Sequence, residues 1–239
     1  MIKIQNISKI VNKKTIFKNI SLNCLKNDCY ILVGPNGIGK TSLIKCILGL
    51  YSINSGSIKV LDQEISTSYN TDSNIGIYLN NASMMPHSIV KNSLSFYASL
   101  YDKTLNDINH LITTLHLENE LDKAYISLST GNKRKVGLLI SIINNPDLLI
   151  WDEPFANLDP DMCLDLVNLI NQLKHEGKTF LITTNDLFYA ADIYTKVGFF
   201  LKSDTLVEKN KDELMNEYED KELNKIYFLE KSKLKEKYL

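Results

Sequence analysis

The sequence predicts an α/β fold with a parallel sheet at its centre. Two observations carry that reading. The octapeptide Gly34-Pro35-Asn36-Gly37-Ile38-Gly39-Lys40-Thr41 fits G-x-x-x-x-G-K-[ST] without a gap and lies between a strand-like run and a helix-like run. Further on, the short apolar segments 147–151 and 179–183 are separated by a helical segment over 162–175, the alternation from which parallel sheets are built.

The elements follow in order. Met1 to Ile7 alternates apolar and polar residues, which predicts a strand of the edge type. Further strands are expected over 20–25, 30–33, 57–61 and 75–79, with a glycine turn at 53–57. Cys29 to Val33 is apolar and partly β-branched, as a buried strand requires, and Leu43, Ile44, Ile47 and Leu48 fall at helical spacing after the glycine loop. From about 88 to 145 the pattern turns helical. Ile89, Leu94, Phe96, Tyr97, Leu100 and Tyr101 mark one helix; Leu105, Ile108, Leu111, Ile112, Leu115 and Leu117 mark a second; 133–144 marks a third. A helical insertion is implied. The tail from about 204 reads as a short strand and then a charge-rich helix that packs one face inward.

The glycine loop is built to hold phosphate. Gly34, Gly37 and Gly39 let the backbone curl so that N–H groups face one anion, and the positive end of the following helix adds to the attraction. Pro35, Asn36, Ile38 and Ser42 complete the segment, Lys40 would reach the outer phosphates, and the Thr41 hydroxyl is a candidate Mg²⁺ ligand. Composition narrows the partners. With 44% apolar and 23% charged residues over 239, the chain can bury a full core, and a net charge of −1 gives no bulk attraction to nucleic acid. No apolar run approaches the roughly 20 residues that cross a bilayer, and the first residues lack the apolar stretch of a signal peptide, so a cytosolic location is expected. Cys24, Cys29, Cys46 and Cys163 have no C-x-x-C spacing and read as buried small hydrophobes, with no zinc site expected.

Two later segments add to the loop: Leu128-Ser129-Thr130-Gly131-Asn132, and the apolar run 148–151 ending in Asp152-Glu153-Pro154. With them, the chain resembles the ATP-binding subunit of an ABC transporter over about residues 1–205. The resemblance implies a RecA-like P-loop NTPase core with an N-terminal antiparallel β subdomain and a helical subdomain inserted over about 82–135, leaving 206–239 as a charged helical tail. It implies that Asp152 holds the Mg²⁺ shell and that Glu153 polarises the attacking water. Both roles fit acids at the end of a buried strand. It further implies that Ser129, Thr130 and Gly131 bind the γ-phosphate held by a second subunit, so that two chains enclose two ATP molecules, and that Asp159 sits in the loop between the sites. Taken alone, Leu158-Asp159-Pro160 would be only a helix start.

Several positions depart from that pattern. Thr130 replaces the second glycine of its segment, and Asn132 stands where glutamine is common. Val11 occupies the position of the adenine-stacking aromatic, so stacking is lost there. Asn80 stands for the glutamine that touches Mg²⁺ and water, one methylene shorter. Asn185 stands for the histidine at the γ-phosphate; an asparagine still donates a hydrogen bond but carries no charge.

The function implied is ATP hydrolysis, slow at this chain's own site, that drives a separate transmembrane subunit. The protein would lie peripherally on the inner face of the membrane, with ATP and Mg²⁺ as cofactors and a second ATP-binding subunit as partner. The loop Ala82-Ser83-Met84-Met85-Pro86 is where the resemblance places the membrane subunit. The resemblance leans toward exporters of peptides, antibiotics or drugs. The alternative is a degenerate subunit that binds ATP and leaves hydrolysis to its partner. A soluble protein of the same superfamily acting on the ribosome or DNA would need two such modules or a long coiled-coil insertion, and neither is expected here.

Overall fold

The computed structural model describes residues 1–65, 74–79, 84–219 and 222–236. In chain order the elements are β1 (Ile2–Val11), β2 (Lys14–Cys24), β3 (Cys29–Val33), α1 (Lys40–Ile47), β4 (Ser55–Val60), β5 (Gln63–Glu64) and β6 (Ile75–Tyr78). There follow α2 (Val90–Ser99), α3 (Asn109–Thr114), α4 (Thr130–Ile142), β7 (Leu148–Asp152), α5 (Pro160–His175), β8 (Thr179–Thr184) and α6 (Leu187–Ala191). The chain closes with β9 (Lys196–Lys202), β10 (Thr205–Asn210), α7 (Lys211–Glu217) and α8 (Leu223–Glu236). These elements form two compact units, Met1–Thr71 with Thr179–Leu239, and Asp72–Lys178.

The first unit contains an antiparallel sheet in the order β2-β1-β4-β5 and a second sheet in which β3 lies between β8 and β9, parallel to both, with β10 antiparallel on β9. The first strand is therefore central, paired with β2 on one side and β4 on the other, and not an edge. Alternation reports that one face is buried, which holds for Ile2, Ile4 and Ile7, but it carries no information on how many neighbours a strand has. The two sheets share a core: Phe17 of β2 meets Phe200 of β9 with ring centroids 6.5 Å apart. α8 docks on the outer side of β9 through Leu223, Ile226 and Tyr227, whose ring lies 6.0 Å from that of Phe199. Beside that contact Tyr218, Glu230 and Lys233 are hydrogen-bonded together.

The second unit pairs β6 and β7 in parallel, Ile75 level with Leu148 and Tyr78 level with Trp151. α4 packs on β6 at two glycines. A side chain on Gly137 would lie 2.9 Å from the Tyr78 ring, and one on Gly76 would collide with the Ser141 carbonyl. The helix expected over 105–117 shrinks to the six residues of α3, flanked by turns, with His116 in the left-handed region at φ 53°. Its apolar residues still face inward, so periodicity located the buried side but not the length of regular helix.

Candidate functional site

In the first unit the glycine loop joins β3 to α1. All five residues of β3 are buried, as expected of a strand with parallel partners on both sides. The chain leaves it at Gly34, where a Cβ would stand 2.5 Å from the Phe200 carbonyl oxygen, so no other residue fits without displacing β9. Gly37 and Gly39 hold φ angles of 79° and 116°, which side-chain-bearing residues avoid, and Gly39 starts α1 with backbone alone. Ile16 and Phe17 of β2 press on that point, with 3.1 Å and 3.4 Å from a Cβ at Gly39 to their side chains. The loop is thus braced by both sheets of its unit.

Lys40 is buried, and its ammonium turns back onto the loop. Nζ donates to the Gly34 carbonyl at 2.7 Å and to Asn185 Oδ1. Asn185 in turn donates through Nδ2 to Asn36 Oδ1. The register explains the meeting: Val33 is level with Thr184, so Gly34 and Asn185 leave adjacent parallel strands side by side. Asn185 uses its amide in both senses, as acceptor and donor. Asp186 then caps α6, accepting from the N–H groups of Phe188 and Tyr189 at 3.0 Å and 3.3 Å. Val11 stands at the tip of the β1–β2 hairpin, 42% exposed, beside a two-residue turn in which Asn12 and Lys13 are both left-handed.

In the second unit every residue of β7 is buried, Asp152 included. Glu153 follows at φ 51°, an uncommon conformation for a residue with a Cβ. Trp151 turns to α4, where its Nε1 donates to Ser141 Oγ at 3.0 Å. Ser129 caps α4, its Oγ accepting from Asn132 N–H at 3.1 Å, which leaves Thr130 and Gly131 in the first turn of the helix. Gly131 is close-packed, a Cβ there being 2.5 Å from Met162 Sδ. Asp159 caps α5 through Met162 N–H at 2.8 Å, with Pro160 at the first helical position. The residues missed by sequence reasoning are Arg134 and Tyr78, joined by a 3.4 Å hydrogen bond from Nη1 to the phenol oxygen. The sequence did hold a clue: Arg134 is the chain's sole arginine.

Of the remaining expectations, Asn80, Ala82 and Ser83 lie outside the described residues. Met84 and Met85 line an apolar groove of about 340 Å³ with Phe96 and Tyr97 of α2, and Met85 is 80% exposed. Cys24, Cys29, Cys46 and Cys163 are all buried. Among the described residues no helix is long and apolar enough to cross a membrane, and no group of three or more His, Cys, Asp or Glu could hold a metal ion.

Could these residues accept a nucleotide and its cation? A cradle closed to any Cβ at Gly34 and a buried lysine whose ammonium turns back onto that cradle are suited to a polyphosphate. Thr41 in the first unit and Asp152 in the second each carry an oxygen donor of the kind Mg²⁺ takes. Residues 17–156 match the profile of the family described as ABC transporter. The chain is 32% identical over 212 residues to the lantibiotic transport ATP-binding protein SrtF of Streptococcus pyogenes, a match covering 89% of this chain and 92% of that protein. It is 34% identical over 190 residues to the zinc import ATP-binding protein ZnuC of Rickettsia conorii, covering 79% and 77%. Among solved structures, an ATP-binding subunit of an ABC transporter superposes with a TM-score of 0.83 at 20% identity over 97% of this chain and 99% of that one. A dimeric cassette in a post-hydrolysis state, bound to ADP and Pi, gives 0.76 at 20% identity over 88% and 98%. These two likenesses speak to the fold.

Proposed function

The chain belongs to the ABC transporter family as an ATP-binding subunit with ATPase activity, and from that premise we propose that it powers a separate transmembrane exporter of a peptide, antibiotic or drug. The SrtF relative, named for lantibiotic transport, supports export, as does a 30% identical Nod factor export protein of Burkholderia thailandensis. The zinc import relative is 34% identical over a shorter stretch, so export rests on the longer match to SrtF and not on a feature of the site.

The observation that carries the reading is Lys40, buried and held against the Gly34 carbonyl and Asn185. On ATP binding its ammonium exchanges neutral acceptors for negatively charged phosphate oxygens, a stronger partnership. Thr41 and Asp152 would hold Mg²⁺, with Asn80 as a third contact; the cation supplies charge neutralisation at the phosphates. Glu153 takes the proton of the attacking water. Asn185 donates one neutral hydrogen bond toward the γ-phosphate. A histidine would add charge there, so hydrolysis at this chain's own site is slow. Ser129, Thr130 and Gly131 sit at a helix start whose N–H groups suit the γ-phosphate of a partner subunit's ATP, and Asp159 lies in the connecting loop. Residues 1–205 form the ATP-binding domain and 206–239 its tail. We infer that the membrane subunit docks at the apolar groove beside Met84 and Met85, the protein then lying on the inner face of the membrane; the exposed Met85 of that groove supports the reading.

Lys40→Ala and Glu153→Gln test this together. Lys40→Ala should weaken Mg-ATP binding by about 100-fold, because it removes the cation from the phosphates. Glu153→Gln should bind Mg-ATP normally, accumulate as a dimer in its presence, and turn over at least about 100-fold more slowly. Wild-type turnover in Glu153→Gln would refute the assignment. A second reading, a subunit that binds ATP and leaves hydrolysis to its partner, is favoured by Val11 and Asn185. It is distinguished by a purified wild-type chain that binds Mg-ATP without hydrolysing it and by a partner-dependent ATPase that Glu153→Gln leaves unchanged.

A further inference from the structure

The chain carries 27 basic residues of the lysine and arginine types, of which one is arginine, Arg134. That single guanidinium is buried within α4, 8% exposed. Nη1 donates to two acceptors at 3.4 Å, the main-chain carbonyl of Glu153 and the hydroxyl of Tyr78. Nε is buried and has no hydrogen-bond partner among the described residues. Burying a charge and leaving one of its donors unsatisfied costs stability, and an apolar side chain of similar volume would fit such a place without that cost. A purely structural role therefore accounts poorly for an arginine here.

The acceptors point to what it does. Glu153 is the left-handed residue that follows β7, in a conformation that costs an L-residue roughly 1 kcal/mol. Its carbonyl also accepts from Ala156 N–H at 3.3 Å, so the peptide after Glu153 is gripped from two sides. Fixing that peptide fixes the direction in which the Glu153 side chain leaves the backbone. Tyr78 closes β6, level with Trp151 of β7. Burial raises the pKa of its phenol, so it meets Arg134 as a neutral acceptor. One guanidinium nitrogen, Nη1, thus ties the ends of two adjacent strands to α4. Lysine, with a compact ammonium on a flexible stem, does not hold its donors in such a fixed plane.

We propose that Arg134 is a positioning residue for Glu153: it holds the strained Glu153 backbone and the end of β6 in one arrangement, so that the carboxylate meets the attacking water at a fixed place. The proposal rests on the reading of Glu153 as the base. Arg134 is buried and acts through Glu153, so its effect is confined to the hydrolytic step.

The test uses the full chain with Arg134→Lys, Arg134→Met and Tyr78→Phe, each alone and on the Glu153→Gln background, in steady-state ATPase and Mg-ATP binding assays. Arg134→Lys and Arg134→Met should lower kcat by about 10- to 100-fold, with KM and the Kd for Mg-ATP within about twofold of wild type. Tyr78→Phe should lower kcat by a smaller factor. On the Glu153→Gln background none of these should reduce the residual rate further, since the group they position is already gone. A folded Arg134 variant with wild-type kcat overturns the proposal, as does an equal loss on both backgrounds. If neither Arg134 variant folds, Arg134 is a stability residue and the proposal is rejected. Full turnover in Glu153→Gln alone is a different failure, that of the base assignment on which the proposal stands.

Discussion

Lys40 and Glu153 meet their surroundings in opposite ways, and the difference decides what a sequence can disclose at the scale of single residues. The role of Lys40 is written in its neighbours: glycines at fixed offsets, a strand before and a helix after. Its burial and its bond to Gly34 follow from that local pattern. The left-handed backbone of Glu153 and its tie to Arg134, nineteen residues earlier, have no local trace, because a positive φ on a residue with a Cβ depends on distant hydrogen bonds. Gly34 lies between these cases. The motif asked for glycine there, but the reason, a Cβ 2.5 Å from the Phe200 carbonyl, involves a strand that local patterns did not point out. Gly34→Ala should therefore push β3 and β9 apart and cost about 1–3 kcal/mol of stability, together with a loss of Mg-ATP affinity of about tenfold or more. Chemical denaturation and nucleotide titration of the same variant check both parts; unchanged values in both would show that the two strands give way freely.

At the scale of elements, strands and helices that carry a strong pattern of their own were legible. The buried runs of β3, β7 and β8 and the capped helix α5 lie within a residue or two of their expected places. Position within a sheet was not, and β1 turned out central because alternation counts faces and not neighbours. Nor was β9 foreseen. Lys196–Lys202 encloses a short apolar run around a glycine, and Gly198 is there because a Cβ would collide with the Tyr30 hydroxyl. The same logic governs the contact of α4 with β6. A methyl group at Gly76 meets the Ser141 carbonyl, a backbone atom that cannot swing aside, so Gly76→Ala should lower the free energy of unfolding by about 3 kcal/mol. Ser141 also accepts the Trp151 indole N–H, which gives the variant an optical readout. The tryptophan emission of Gly76→Ala should shift to the red as α4 lifts and the indole loses its buried partner. A wild-type emission maximum and an unchanged denaturation midpoint would mean that α4 lies less tightly on β6 than the glycine implies.

The whole molecule is one subunit of a machine that must couple hydrolysis to transport, and its departures from the family pattern act at that level. Asn185→His, alone and with Asn80→Gln, should raise the ATPase rate of the assembled transporter several-fold, because a charged donor replaces a neutral one at the γ-phosphate. A rate no faster than wild type in either variant would show that the asparagines are not limiting. Sequence told of the family and of the loss of charge. It could not tell that Asn185 already has employment, since its bonds to Lys40 and Asn36 join residues 145 and 149 positions apart. That arrangement makes the loop a rival to its own ligand. Any anion that enters must outbid a backbone carbonyl and an amide for the same ammonium. A small monoanion brings one weak claim, whereas a triphosphate brings several charges and the backbone N–H groups of the loop act on it together. The loop is therefore expected to favour polyphosphates over small monoanions, which titration with phosphate and with triphosphate checks.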